Sequence, residues 1–203
     1  MKHCARAVFA VTLIASLIAG SIHASRVPGT PQLPTERKVY EIYNDRYDTA
    51  YESSAELDAM RVHDMDFFDL PENHYVYVQG IAHCANDNGG FGWYRPILPD
   101  GGITHALFFT VTIPQVDDLT LNGDYTATFT PPTEWGFYMR RPDGTMYYSE
   151  SHRNPDNADQ LLVYATPDEN TFLICWEDRA DEASDYDHND LILEMTFVPV
   201  PEN

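Results

Sequence analysis

Basic residues are scarce in this chain, and their scarcity is the first constraint on its function. Twelve Lys and Arg stand against thirty-two Asp and Glu, giving a formal net charge of −20 at pH 7. A chain of this charge repels nucleic acid and anionic lipid surfaces. The composition therefore excludes nucleic acid as a partner and favours a soluble protein that meets divalent cations.

Catalytic motifs are also lacking. No Gly-x-Ser-x-Gly motif and no Cys-His nucleophile context appears, which argues against acyl transfer. No His pair at i, i+4 spacing lies beside a Glu. A carboxylate pair for glycoside hydrolysis cannot be singled out among thirty-two acids. A polysaccharide-active hydrolase therefore stays open only as an alternative.

Long apolar runs are absent except at the start of the chain. "MKHCARAVFAVTLIASLIAGSIHA" places Lys2 and Arg6 before an apolar stretch that ends in small residues near Ala24. This pattern predicts a signal peptide over residues 1–24, with an uncleaved membrane anchor as the alternative. We expect a secreted or periplasmic protein without a membrane segment once the leader is removed. Ten basic residues then face thirty-two acidic ones, a formal charge of −22.

Cysteine is rare: only Cys84 and Cys175 remain after Cys4 is removed with the leader. An even number of cysteines in an oxidising compartment predicts a disulfide between Cys84 and Cys175. The alternative is a pair of buried thiols that pack as small apolar residues.

Short strand-like runs dominate the rest of the chain. Residues 25–37 predict a flexible lead-in rich in proline. The alternation at 38–43 predicts a first strand, and Ser53 three residues before Glu56 predicts one short helix over 53–65. From residue 74 onward, apolar or alternating runs recur about every eight to twelve residues, which is typical of an all-β sandwich or jelly roll. We expect one antiparallel β-sandwich domain over 38–198 and a tail over 199–203.

The densest motif is "SDYDHNDLILEM" (184–195), in which acidic residues run directly into an alternating strand. Asp185, Asp187 and Asn189 have the spacing that begins an EF-hand loop. Asp190 then stands where that loop needs glycine, so an EF-hand is excluded. Together with Glu177 and Asp178 these residues predict a calcium site, since calcium takes six to eight oxygen ligands. The alternative is a solvated turn in which Asp and Asn only shape the backbone.

The segment from about 134 to 197 resembles an uncharacterised bacterial domain family found in exported proteins. The resemblance rests on "WGFYM" (135–139), "PDGTMYYSESHRNPD" (142–156) and "WEDRADEASDYDHNDLILEM" (176–195). It implies an all-β secreted module in which the acidic motif binds a cation. Gln160 departs from the family, which commonly has His there. The tail "FVPVPEN" resembles the start of a Val-Pro-Glu-Pro sorting signal, without the apolar helix and basic end that follow it in that signal.

A second polar segment, "CANDNGGFGWYRP" (84–96), predicts a mobile loop followed by aromatic residues. Its candidate ligand-binding residues are Asn86, Asp87, Asn88, Trp93 and Tyr94. In a lectin-like sandwich, such amides bind sugar hydroxyls and such rings stack on the sugar face; packing in the core is the alternative. We therefore expect a non-catalytic, calcium-binding exported module that binds extracellular polysaccharide or a partner protein. A polysaccharide hydrolase or a lectin-like binder is the alternative.

Overall fold

The computed structural model describes residues 37–62, 67–84, 89–95, 103–111, 119–121, 125–131, 134–179 and 184–201. The predicted signal peptide (1–24) and the lead-in up to residue 36 lie outside the described residues. The described helices are α1 (Val39–Tyr47), α2 (Ser54–Leu57) and three short 3-10 helices (Asp58–Met60, Ser151–Arg153 and Pro155–Asn157).

Ten described strands form two antiparallel sheets, so the predicted antiparallel β-sandwich is confirmed. The four-stranded sheet has the spatial order β3 (Thr104–Val111), β2 (Gly89–Arg95), β6 (Gly136–Arg140) and β7 (Met146–Tyr148). The six-stranded sheet has the order β4 (Leu119–Thr120), β1 (His74–His83), β10 (Leu191–Pro199), β9 (Thr171–Trp176) and β8 (Leu161–Ala165). Its sixth strand, β5 (Thr126–Phe129), also pairs with β1.

The main core contains one face of β10, as the alternation in the sequence predicts. Successive side chains of a strand point to opposite faces, so residues two apart share a face. The residues of β10 that belong to this core are Leu191, Leu193, Met195 and Phe197. They share one cluster with aromatic residues of the four-stranded sheet, including Phe91 and Phe137. Burial of these apolar surfaces is the main force that holds the two sheets together.

The opposite face of the six-stranded sheet is covered by α1, and here the sequence-based prediction is wrong. Residues 38–43 were expected to form a strand, but α1 begins at Val39. Val39, Ile42 and Tyr43 lie at helical spacing and pack with Ile192 in a second apolar cluster. The side chain of Glu41 accepts a hydrogen bond of 2.8 Å from the backbone N–H of Lys38, which satisfies one of the free donors at the helix start.

The C-terminal end of α1 is fixed to β10 by a polar contact. Arg46 donates two hydrogen bonds, of 2.9 and 2.7 Å, to the carboxylate of Glu194, and Tyr47 donates a third of 2.8 Å. Partial burial alone would raise the pKa of Glu194, but these three donors outweigh it and hold the pKa below its ordinary value. α1 is thus positioned by apolar packing and by a bidentate ion pair.

The second helix confirms the capping signal but is shorter than predicted. The hydroxyl of Ser53 accepts a hydrogen bond of 3.3 Å from the N–H of Glu56, and α2 begins at Ser54. The helix ends at Leu57, followed by one 3-10 turn and a bridge from Arg61 to Tyr164. Residues 63–66 lie outside the described residues.

The predicted disulfide between Cys84 and Cys175 is not present; neither cysteine is disulfide-bonded. The strand register gives the reason, because Ala82 pairs with Ile192, which in turn pairs with Cys175. Strand β10 therefore lies between the strand that leads to Cys84 and the strand that carries Cys175. Two strand spacings amount to about 9.5 Å, beyond the reach of a disulfide. Both cysteines are buried in the apolar cluster under α1.

The segment 84–96 also differs from its prediction as a mobile loop. Residues 89–95 form β2, which pairs with β3 on one side and β6 on the other. The signal in the sequence was weak because Gly89, Gly90 and Gly92 lower strand propensity. Gly92 nevertheless fits where a side chain would not, since an added Cβ would lie 2.2 Å from the carbonyl oxygen of Ala106.

The turn and the tail complete the fold. The sequence "RRPDGT" predicts a turn, and it joins β6 to β7 with Gly144 at a φ of 90°. The tail starts one residue later than predicted, because β10 extends to Pro199 and the N–H of Val200 donates to the carbonyl oxygen of Asn73 at 2.8 Å.

The longest helix in the described ranges has nine residues, and none there is long and apolar enough to cross a membrane.

Candidate metal centre

The acidic motif lies where the ends of four neighbouring strands meet. β9 ends immediately before Glu177, and β10 begins immediately after Asp190. The N–H of Glu177 donates to the carbonyl oxygen of Gln160 next to β8, at 3.0 Å. On the other side, the N–H of Cys84 after β1 donates to the carbonyl oxygen of Asp190, at 3.1 Å. The antiparallel sheet therefore brings carboxylates from two chain segments to one corner of the sandwich.

Glu177 is the most deeply buried of these carboxylates. Only 1% of the residue is exposed, and its Oε2 has no hydrogen-bond partner among the described residues. Burial raises the pKa of Glu177 to about 7, helped by the negative charges of Asp185, Asp187 and Asp178 and opposed by a hydrogen bond from Ser184. A buried carboxylate surrounded by like charges is costly in free energy unless a proton or a cation neutralises it.

Among the described residues, five carboxylates form two groups that share Glu177. One group contains Glu177, Asp178 and Asp190, and the other contains Glu177, Asp185 and Asp187. Within each group, one ligand oxygen per residue lies within 4.8 Å of the others. Neither group includes a histidine or a cysteine. These acidic groups can hold a metal ion, and their ligands are all hard oxygen atoms.

Asp190 joins the two segments of the site. Its Oδ2 accepts a hydrogen bond of 2.7 Å from the backbone N–H of Asp178. Burial raises the pKa of Asp190 well above its ordinary value, and the charges of Asp178 and Glu177 raise it further. The backbone donor opposes this shift without cancelling it. Asp190 thus has the same unfavourable electrostatic environment as Glu177.

The loop from 184 to 190 turns through two left-handed residues. Tyr186 has a φ of 55° and His188 a φ of 56°, both uncommon for residues other than glycine. The hydroxyl of Ser184 accepts a hydrogen bond of 3.1 Å from the N–H of Tyr186. The alternating left-handed residues fold the short segment back, so that Asp185 and Asp187 both come within reach of Glu177.

Asn189 has the second buried oxygen that lacks a partner. The residue is 0% exposed, and its Oδ1 accepts no hydrogen bond from the part of the chain that the structure describes. Its Nδ2 donates to Oδ2 of Asp187 at 2.9 Å and to the carbonyl oxygen of Arg37 at 2.8 Å. The hydrogen bond from Nδ2 holds this amide group next to the Asp187 carboxylate. The side chain thus offers one more oxygen beside the acidic groups.

His188 anchors the loop from outside the acidic groups. Its Nε2 lies 3.0 Å from the carbonyl oxygen of Asp159, and its Nδ1 lies 3.3 Å from that of Tyr186. Burial lowers the pKa of His188, against the opposing effect of these carbonyl contacts. Both ring nitrogens therefore face backbone carbonyl groups, which leaves an oxygen-only ligand set at the site.

Sequence reasoning identified six residues of this site, and the structure brings all six together. They are Glu177, Asp178, Asp185, Asp187, Asn189 and Asp190. It missed Ser184 and Gln160. With its amide nitrogen turned toward the backbone, Gln160 donates to the carbonyl oxygens of Glu177 (2.8 Å) and Arg179 (3.0 Å). Gln160 lies directly before β8, and no local pattern marks it as a support for the end of β9.

A second buried glutamate, Glu150, provides a contrast. It lies 3.6 Å from His152, forms an ion pair with Arg153 and accepts a hydrogen bond of 2.7 Å from the hydroxyl of Tyr94. Glu150 is therefore partnered by an arginine, whereas the charged groups acting most strongly on Glu177 are other carboxylates. The two buried glutamates among the described residues thus have opposite electrostatic environments, and that of Glu177 favours a cation.

The other predicted ligand residues do not lie in this site. Trp93 stacks on Phe129 with ring centroids 5.6 Å apart, in contact with the main core. Tyr94 is 0% exposed and donates its hydroxyl proton to Glu150. Tyr94 is therefore buried within the fold, and Trp93 is partly buried against the main core. Asn86, Asp87 and Asn88 lie outside the described residues.

Comparisons with family models, with curated proteins and with solved structures found no match to this chain. The resemblance to a family of exported bacterial domains thus stays a prediction from the sequence.

Proposed function

We propose that this protein is an exported, non-catalytic β-sandwich module whose acidic corner binds calcium. The observation that carries the proposal is the unpartnered Oε2 of the buried Glu177 within a group of carboxylates. A cation provides the attraction that this oxygen lacks and removes the repulsion among its neighbours. The geometry of the loop gives further support, since it supplies carboxylate and amide oxygens from a short segment.

The ligand chemistry favours calcium over other metals. Zinc and iron sites use His or Cys, and neither acidic group contains one. Magnesium demands a near-ideal octahedron and keeps several waters, whereas calcium accepts an irregular shell rich in carboxylates. The donors here come from two segments of uneven spacing, 177–178 and 185–190. This asymmetry suits the more flexible coordination of calcium.

The role of the ion is structural in this proposal. Glu177 directly follows β9 and Asp190 directly precedes β10, so a cation bound to both links two adjacent strands of the larger sheet. Asn189 extends the link to the start of α1 through the carbonyl oxygen of Arg37. The ion would hold together a corner of the fold whose free energy is otherwise raised by buried like charges.

The binding role toward extracellular material rests on the sequence alone. The acidic charge of the chain and its predicted leader favour a protein that acts outside the cell. Pull-down on insoluble polysaccharides, with and without calcium, measures binding directly. Assay for reducing-sugar release on the same substrates distinguishes a hydrolase from a binder, and we expect no release.

Calorimetric titration tests the calcium site. We expect the protein, freed of metal by chelation and dialysis, to bind calcium with a clear saturation point. Asp187→Asn keeps the shape of the side chain but removes one ligand charge, and should weaken binding at least tenfold. Asp69→Asn is the matched control, because Asp69 is an exposed aspartate distant in sequence from the acidic groups. Equal titrations for Asp187→Asn and Asp69→Asn would contradict the proposed site.

A further inference from the structure

We infer that the acidic corner holds two calcium ions per chain, with the carboxylate of Glu177 bridging them. This inference rests on the proposed function and adds the number of ions and the role of each ligand. Glu177, Asp178 and Asp190 bind the first ion. Glu177, Asp185 and Asp187 bind the second.

The separation of the two groups is the first argument. Calcium lies about 2.3–2.6 Å from each oxygen, so two oxygens on one ion cannot be more than about 5 Å apart. Each group of three meets that limit, with its ligand atoms within 4.8 Å of one another. The five carboxylates do not form one such group. Only Glu177 belongs to both, so a single ion in this arrangement leaves two of the carboxylates out of reach.

The supply of ligands and charge is the second argument. Five carboxylates offer ten oxygens, and Oδ1 of Asn189 adds another, more than the six to eight that one calcium accepts. Two divalent cations bring more positive charge next to these carboxylates than one does. In a buried corner, each charge left without compensation costs free energy. Two ions therefore relieve more of the repulsion than one.

The unpartnered oxygens are an independent observation that points to a ligand. Oε2 of Glu177 is buried and has no hydrogen bond to any described residue, although its residue belongs to both groups. Buried polar atoms in folded proteins nearly always have a partner, and the exceptions require an explanation. Glu177 directly follows β9 and belongs both to the group with Asp178 and to the group with Asp185 and Asp187. This position suits a carboxylate that shares its oxygens between two ions.

The decisive measurement is the number of calcium ions per chain. Equilibrium dialysis against calcium followed by elemental analysis gives this number, and calorimetry gives the affinity of each step. We expect two calcium ions for the unaltered protein. Asp178→Asn and Asp185→Asn each remove one ligand from one group, so each should retain a single tight ion. Glu177→Gln weakens both groups and should lower the affinity of both ions at least tenfold, while Glu72→Gln, an exposed control, should keep two.

Each outcome separates this inference from the proposed function. One calcium per unaltered chain, lost alike in Asp178→Asn and Asp185→Asn, overturns the two-ion arrangement and leaves a single calcium site in place. No bound calcium overturns both. Because the unaltered protein alone decides between one ion and two, a variant that fails to fold does not prevent the test.

Discussion

The side-chain amide of Asn189 donates a hydrogen bond of 2.8 Å to the backbone carbonyl oxygen of Arg37, 152 positions earlier in the chain. This contact links the acidic loop to a residue that lies two positions before the start of the first helix. The same amide donates to Asp187 at 2.9 Å, so one side chain fixes both the loop and the helix start. The order of the acidic corner is therefore coupled to the position of α1.

Replacement of Asn189 tests this coupling. Asn189→Ala removes two hydrogen bonds and leaves the carbonyl oxygen of Arg37 without this donor. We expect the free energy of unfolding of the metal-free protein to fall by about 2 kcal/mol. Urea denaturation in the presence of chelator measures the change. An unaltered midpoint and slope would mean that the contact contributes nothing to stability.

The metal-free protein should lose stability as the pH rises from about 4.5 to about 7. In this range the unfolded chain releases the proton of Glu177, whose ordinary pKa is 4.5, while the folded chain retains it up to its raised pKa of about 7. Asp190 acts in the same direction. The stabilising contribution of each carboxyl group is fully present at a pH below its pKa in the unfolded chain. It is lost at a pH above its pKa in the folded protein. For Glu177 it amounts to something on the order of 3 kcal/mol.

Comparison with Glu177→Gln isolates this effect. His188 has a lowered pKa and so favours the unfolded state as the pH falls below 6.5, the opposite trend in part of the same range. His188 contributes equally to both proteins, so its contribution cancels when their free energies of unfolding are subtracted. We expect metal-free Glu177→Gln to be similar in stability to the unaltered protein at pH 4.5 and more stable at pH 8. Parallel stability curves across this range would contradict the raised pKa.

The glycine in the middle of β2 should be intolerant of substitution. In Gly92→Ala the new Cβ would lie 2.2 Å from the carbonyl oxygen of Ala106 and 2.7 Å from the ring of Tyr138. We expect a loss of about 2 kcal/mol or more, since overpacking forces the neighbouring strand or ring to move. Gly89→Ala is the matched control in the same strand, because its nearest atoms would lie 3.9 Å away. Thermal unfolding measures both; equal melting temperatures would place Gly92 outside the sheet.

The cysteines should be thiols that react only when the protein unfolds. Cys175 is buried and burial raises the pKa of its thiol well above the ordinary value, which suppresses the reactive thiolate. We expect a thiol reagent to label Cys84 and Cys175 in denaturant without prior reduction and to label neither in the native state. Mass spectrometry of the peptides identifies the labelled residues. If labelling in denaturant required a reductant, the two cysteines would form a disulfide and this prediction would be wrong.

Local patterns account for most of what the sequence predicted correctly. The alternation from Leu191 to Phe197 specified the inner face of β10, and Ser53 with Glu56 specified the start of α2. The clustering of Asp185, Asp187 and Asn189 within five residues made their proximity almost unavoidable. Each of these signals depends on neighbours in the chain, so each is visible without the fold.

The failures have equally specific causes. Residues 38–43 show both strand alternation and the helical spacing of Val39, Ile42 and Tyr43, and packing against Ile192 selects the helix. The glycines of β2 have low strand propensity, so the sequence did not indicate this strand. At Gly92 the absence of a side chain leaves room for the ring of Tyr138. The bond between Asn189 and Arg37, the support from Gln160 and the division of the carboxylates into two groups depend on contacts between distant segments. No local signal encodes them.

The most direct test of the calcium site compares the melting temperature of the metal-free protein with that of the protein in excess calcium. Because only the folded protein assembles the ligands, calcium at about a hundred times its dissociation constant should raise the melting temperature by roughly 5–10 °C. Magnesium at the same concentration should have a smaller effect, and the increase should be smaller in Asp187→Asn than in the unaltered protein. Identical melting temperatures in calcium and in chelator would contradict the account.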